Sequence, residues 1–165
     1  MVASSSTVPF EATLNVRDNC LCLHAQRAAR ALARRFDAVL RPSGLTNGQF
    51  SLLMALNAPE PPTMGRIAAL VGADRTTLTA ALKPLTRRGL AELRTDPTDS
   101  RARRVALTAA GHACLAAALP LWTAAHAALE TELGAVEPAE LRRGLNALSP
   151  PRPDAASSAL CGDQE

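Results

Sequence analysis

Apolar residues recur every three or four positions between about Val16 and Leu40, where Leu21, Ala25, Ala28, Leu32, Phe36 and Val39 are interleaved with Arg27, Arg30, Arg34 and Arg35. The spacing predicts one amphipathic helix of about six turns. Arg41-Pro42-Ser43-Gly44 stops it, since proline cannot continue the hydrogen-bond ladder and glycine suits the cap. Thr46 opens a second helix, with Gln49 placed for a capping box and Phe50, Leu53, Met54 and Leu56 as its inward stripe; Asn57 to Pro62 end it. Thr63 starts a short helix to about Leu70, and Val71-Gly72-Ala73 turns into another that Asp74 caps. Two short helices joined by a glycine-containing turn make a helix-turn-helix.

The second of these helices carries Leu78, Leu82 and Leu85 inward and Arg75, Thr76, Thr77, Thr79 and Lys83 outward, and Pro84 is expected to bend it. Leu90 to Thr95 and Arg103 to Leu107 read as two strands around the turn formers Asp96 to Ala102, a hairpin placed like a wing. A long helix follows from its cap Thr108 to about Leu133, with Leu115, Leu119, Trp122, Ala125 and Leu129 apolar, then a shorter one from Pro138 to Leu148. The fold class is therefore mainly α with a small β-hairpin wing. Its domains are a flexible segment 1–13, a helical dimerisation region 14–44 and 108–148, a winged helix-turn-helix 45–107 and a disordered tail 149–165. Long helices at both ends of so small a module cannot all bury their apolar faces within one subunit, which predicts a homodimer.

Composition narrows the picture. The 165 residues are 47% hydrophobic and 20% charged, enough for a core. Aromatics are only Phe10, Phe36, Phe50 and Trp122, so leucine and alanine must fill it, which favours packed helices. The net charge of +3 conceals a basic middle, with nine basic residues against four acidic ones from Arg66 to Arg104, and an acidic end. A basic helix-turn-helix followed by a basic hairpin points to double-stranded DNA. Arg75, Thr76, Thr77 and Thr79 are placed for the major groove, Lys83 and Arg87 for phosphates, and Arg101, Arg103 or Arg104 for the adjacent minor groove. Asp96 or Asp99 is placed to pair with these arginines and hold the loop in shape; if exposed, such a pair contributes about 1 kcal/mol or less, and its value is geometric.

No leader pattern opens the chain, and Pro120 and His126 interrupt the Ala-rich stretch near Ala116, so a soluble cytoplasmic protein without a membrane partner is expected. No P-loop, nucleophile elbow, glycine-rich dinucleotide pattern or paired-carboxylate arrangement is present; neither an enzyme nor a cofactor is expected. His24, His112 and His126 have no metal-site spacing, and Trp122 reads as a packing residue.

Gly44-Leu45-Thr46, Met64-Gly65-Arg66-Ile67-Ala68, Ala73-Asp74-Arg75-Thr76-Thr77-Leu78-Thr79, Leu85-Thr86-Arg87-Arg88-Gly89-Leu90, and the wing Asp96 to Ala102 leading into Val105-Ala106-Leu107-Thr108-Ala109-Ala110-Gly111 together resemble the MarR family of bacterial transcriptional regulators, over about residues 14–148. The resemblance implies a homodimer on a pseudo-palindromic operator. It also implies a repressor that releases DNA when a small molecule or oxidant acts between the dimerisation and DNA-binding regions.

Four cysteines carry the remaining chemistry. Cys20 and Cys22 point about 200° apart on a regular helix and can share one ion or one disulfide only if the helix starts after them or frays, with Asp18 or Asn19 as the cap. A thiol in a first helical turn lies beside unpaired amides, and Arg17 is near; both favour the thiolate that oxidants and soft metals attack. Cys22 falls about where the organic-hydroperoxide-sensing members resembling this chain carry their reactive cysteine, some twenty residues before Gly44-Leu45-Thr46, although the tyrosines those members use are absent. Cys20, Cys114 or Cys161 would then resolve a sulfenic acid, or Cys20 and Cys22 would hold a soft metal. A phenolic or other aromatic effector with structural cysteines is the alternative, and a thiol-dependent enzyme or metal chaperone on the same scaffold is the third reading.

Overall fold

Four side-chain caps fix where four of the helices begin. The computed structural model describes residues 7–99 and 102–149. Thr46 accepts from the Gln49 amide while Gln49 accepts from the Thr46 amide, and this capping box opens α3 (Asn47–Leu56). Thr63 caps α4 (Met64–Val71), Asp74 caps α5 (Arg75–Arg87) and Thr108 caps α6 (Ala109–Glu132). Each cap satisfies an amide that the helix itself leaves unpaired. Gly72, at φ 67°, ends α4 in the left-handed region and makes the turn into α5. A single helix α7 (Pro138–Leu148) follows α6.

The first predicted helix is two. α1 runs Phe10–Asn19 and α2 runs Leu21–Leu40, with Cys20 in an extended conformation between them. Helix therefore begins at Phe10, within the stretch expected to be flexible. The cap at the break is Cys20 itself, whose sulfur accepts from the Leu23 amide at 3.4 Å; Asn19 instead donates to Asn15. Leu21 and Leu32, predicted inward, are exposed at 69% and 39% in the single chain.

The described residues form two compact units, one up to Arg35 and one from Phe36 onward. The second holds the core, in which Leu40, Leu53, Ile67, Leu78, Leu85 and Val105 are almost fully buried. In α3, Leu52 rather than Met54 is inward, so its buried set is Phe50, Leu52, Leu53 and Leu56. The hairpin pairs β1 (Ala91–Thr95) with β2 (Arg103–Leu107) antiparallel, from Ala91 opposite Leu107 to Thr95 opposite Arg103. Val105, Ala106 and Leu107 are buried in succession because both faces of this end of β2 are covered, so the two-residue alternation of an open sheet is absent there.

Neither internal proline ends its helix. Pro84 lies within α5 and Pro120 within α6, each forgoing one backbone bond to an exposed turn. As a result α6 runs unbroken for 24 residues, and an 18-residue stretch of it has a mean hydropathy of 1.2, long and apolar enough to cross a membrane. Only 11% of that stretch is buried within the chain.

Candidate nucleic-acid interface

The second helix of the helix-turn-helix is anchored by one face and presents the other. Leu78, Leu82 and Leu85 on α5 are at most 3% exposed. On the opposite side Arg75, Thr76, Thr79, Ala80 and Lys83 line one open groove of about 400 Å³. These positions share a helix face because they recur at intervals of three and four residues. The Thr79 hydroxyl donates to the Arg75 carbonyl at 2.7 Å, which fixes its rotamer and leaves its oxygen able to accept. Thr77 is placed differently. Its amide and hydroxyl both bond the Asp74 carboxylate, at 2.7 and 2.9 Å, and it lines a second groove against α3 with Thr46, Gln49 and Leu52. Thr77 is exposed but bonded to the cap, and Ala80 joins the groove face in its stead.

At the end of α5, Arg87 is exposed, whereas Arg88 donates to the Gly44 carbonyl at 2.8 Å. Gly44 adopts φ 69°, and a side chain on it would crowd the Arg88 guanidinium. Arg88 therefore ties the α2–α3 corner to the end of α5, a contact across 44 residues that local periodicity does not reveal. Arg66, to which spacing alone gives no role, is an exposed cation on α4.

In the wing the predicted cations divide by role. Arg103 is exposed and bonds Thr95 across the strands at 3.0 Å. Arg94 pairs with Glu92 on its own strand at 2.8 Å. Arg104 turns inward, donating to Asp96 at 2.6 Å and to the Pro61 carbonyl at 3.0 Å, with Glu60 at 3.7 Å. Its expected reach into a minor groove is corrected here, because the half-buried guanidinium is bonded on two sides within the wing joint. Arg101 lies outside the described residues.

Asp96 pairs with one of the wing arginines, as the sequence suggests. It is buried rather than exposed, at 6%, and its Oδ1 accepts from the Thr98 amide and hydroxyl at 2.8 and 2.7 Å. The Thr98 hydroxyl and amide, then Arg104, hold the Asp96 carboxyl well below the usual carboxylate range.

The thiols occupy distinct environments. Cys20 caps α2 and Cys22 is exposed in its first turn, with Gln26 Nε2 3.3 Å from the Cys22 sulfur. Arg17, expected to assist, is engaged by Asp18 at 2.6 Å. Cys114 is half-buried on α6, its thiol 3.6 Å from the Ser43 carbonyl. Cys161 lies outside the described residues. Among the described residues no group of three His, Cys, Asp or Glu side chains is placed to hold a metal.

An open apolar crevice of about 520 Å³ lies among α3, α4 and α6, lined by Phe50, Met54, Leu70, Val71 and Trp122. Trp122 stacks on Phe50 at 5.9 Å between centroids and meets the half-buried His126 at 4.6 Å. His24 is exposed, its ring bonded to the Cys20 carbonyl, and His112 is exposed at the start of α6.

A capped helix pair followed by a two-stranded hairpin defines a winged helix-turn-helix protein. Known proteins narrow the class. A model of the MarR family matches residues 43–102. The M. tuberculosis transcriptional regulator MosR, solved with DNA, is 40% identical, with a TM-score of 0.72 over 79% of this chain and 93% of that one. The transcriptional repressor CouR, bound to a 23-mer DNA duplex, is 29% identical with a TM-score of 0.66, covering 87% of this chain and 96% of its own. A mutant MarR from E. coli, complexed with operator DNA, is 25% identical with a TM-score of 0.73, covering 83% and 99%. No curated protein matches by sequence. The chain belongs to the MarR family of DNA-binding transcription regulators, which are not enzymes.

Proposed function

We propose that this protein is a cytoplasmic, homodimeric repressor that binds a pseudo-palindromic operator and releases it on oxidation of Cys22. On DNA, the α5 face of Arg75, Thr76, Thr79 and Lys83 enters the major groove, Arg87 contacts phosphate, and the wing reaches the adjacent minor groove through Arg103 and Arg101. Dimerisation covers the apolar surface that α6 and α7 leave exposed in the single chain, including Leu119, Leu141, Leu145 and Leu148.

The observation that carries the thiol reading is the helix break at Cys20. Because α2 starts at Leu21, Cys20 lies before the helix and Cys22 in its first turn, so the opposed geometry of two thiols on a continuous helix does not apply. A hydroperoxide converts the Cys22 thiol to a sulfenic acid and is itself reduced to an alcohol. The Cys20 thiol then attacks the Cys22 sulfur, forming a disulfide and releasing water. That bond takes the Cys20 sulfur from the Leu23 amide, so oxidation removes the cap of α2. Two thiols with no third ligand grouped beside them among the described residues favour an oxidant over a soft metal.

The test is fluorescence anisotropy of the reduced protein on DNA upstream of its own gene, before and after cumene hydroperoxide or arsenite, beside Cys22→Ser. Release of the wild type by hydroperoxide with retention of the variant supports the reading. Release of both by hydroperoxide, or of neither, overturns the role of Cys22. Release by arsenite alone replaces the oxidant with a metalloid.

A further inference from the structure

The wing of a winged helix is a two-stranded hairpin, and an isolated hairpin of this size has little stability of its own. Its direction must therefore be set by what holds its strands. Here β2 is pinned from its middle toward its loop end, at Val105 and Arg104. Thr63 and Arg104 form an isolated antiparallel bridge, and the Val105 amide donates to the Pro62 carbonyl at 3.0 Å. The α3–α4 connection thus acts as a third, very short strand beside β2. Arg104 spans the same joint through its side chain, with Asp96 at one end and the Pro61 carbonyl at the other.

Asp96 in turn organises the loop. One carboxylate oxygen takes the Arg104 guanidinium while the other accepts from Thr98 and, at 3.3 Å, from the Asp99 amide. The backbone closes around it, the Asp96 amide donating to the Ala102 carbonyl at 3.2 Å and the Ala102 amide to the Asp99 carbonyl at 2.9 Å. One buried carboxylate therefore shapes the wing loop and fixes the arginine that anchors the wing to the residues leading into α4. Thr63, within this joint, is also the cap of α4.

We propose that Asp96 and Arg104 are positioning residues for DNA binding, locking the wing in register with the helix-turn-helix so that wing cations and the α5 face engage the duplex together. This rests on the reading that both elements contact DNA. The consequence runs against simple electrostatics. Removing a carboxylate from a basic DNA-binding module should strengthen binding, because less negative charge faces the phosphates. If Asp96 positions the wing, its removal weakens binding instead.

The experiment measures operator affinity by anisotropy from 0.05 to about 0.3 M salt for the full-length dimer and for Asp96→Asn, Arg104→Ala, the double variant and Arg75→Ala. The carboxamide of Asp96→Asn still offers an acceptor to the Thr98 amide but no charge to Arg104. Each phosphate that the protein ceases to neutralise lowers the salt slope by about 0.9, so two released wings lower it by about 1.8, roughly sixty-fold at 0.1 M salt. The expected result is that Asp96→Asn and Arg104→Ala each weaken binding by this order, that the double variant is no weaker than either single one, and that hydroxyl-radical protection disappears only in the flanking minor grooves. Thermal melts of each variant show whether the fold persists; a misfolded variant would lose all protection, including that under α5. Tighter or unchanged binding by Asp96→Asn, with Arg75→Ala impaired, overturns the inference and leaves the DNA reading intact. Unimpaired Arg75→Ala overturns the reading on which it rests.

Discussion

Gly111, near the start of α6, is buried, and a methyl group built on it would collide with the Leu90 carbonyl oxygen and crowd Leu107 at 3.1 Å. The obstacle is backbone that cannot swing aside. The same carbonyl accepts the Thr108 amide at 3.2 Å, and the Thr108 hydroxyl donates to the Gly89 carbonyl at 2.6 Å, so the collision falls where α6 is stapled to the entry of β1. Gly111→Ala gains about 1 kcal/mol of helix propensity. Against that stand overpacking, about 1–3 kcal/mol, and the loss of a part-buried hydrogen bond, about 1–3 kcal/mol. The net is a destabilisation of about 1–5 kcal/mol by these ranges. Gly65, in the first turn of α4, has open space around its missing side chain, and Gly65→Ala should stabilise by about 0.5–1 kcal/mol. Urea unfolding followed by circular dichroism at one fixed protein concentration compares them, since a dimer's stability depends on concentration. A Gly111→Ala protein as stable as the parent would refute the reasoning, for it would mean that α6 and the entry to the wing move apart freely.

Other expectations follow from the same contacts. Leu53→Ala, at a fully buried position, should cost about 2–5 kcal/mol in the same assay. Arg75→Ala should relax discrimination between operator and mismatched DNA by about 1–3 kcal/mol per base contact, whereas Lys83→Ala should weaken both alike and lower the salt slope by about 1 per subunit. Arg88→Ala should weaken operator binding without a change of that slope, since its guanidinium holds the Gly44 carbonyl; a slope change would make it a phosphate contact. Asp96 has a lowered folded value, so its stabilisation is fully present above the unfolded value of about 3.9 and is lost as pH falls through the folded one. Wild type and Asp96→Asn should therefore differ in stability by a constant amount between about pH 5 and 8 and converge only in strong acid; convergence already at about pH 6 would refute the assigned cause.

Much of this protein is written in local chemistry. Thr46 with Gln49, Thr63, Asp74 and Thr108 are readable as helix starts because a cap bonds an amide two or three residues ahead, and Gly44 and Gly72 as stops because their conformation is local. The buried face of α5 and most of its outward one follow from spacing, as does the hairpin from the turn formers between its strands; Ala80 in place of Thr77 does not. What sequence could not settle is how long polar side chains are shared out. Arg104 and Arg103 are neighbours in the chain, yet one bonds Asp96 and Pro61 and the other lies exposed at the strand edge. Arg88 and Arg87 diverge in the same way over Gly44. A guanidinium reaches far enough to choose partners 43 or 44 residues away, so its role depends on which carbonyls folding leaves nearby. The break at Cys20 is a similar case, since the helical periodicity of the flanking residues continues through it. Spacing determined most of the elements and the buried face of α5; only the packed structure decided which charges are tied within the protein and which stay exposed.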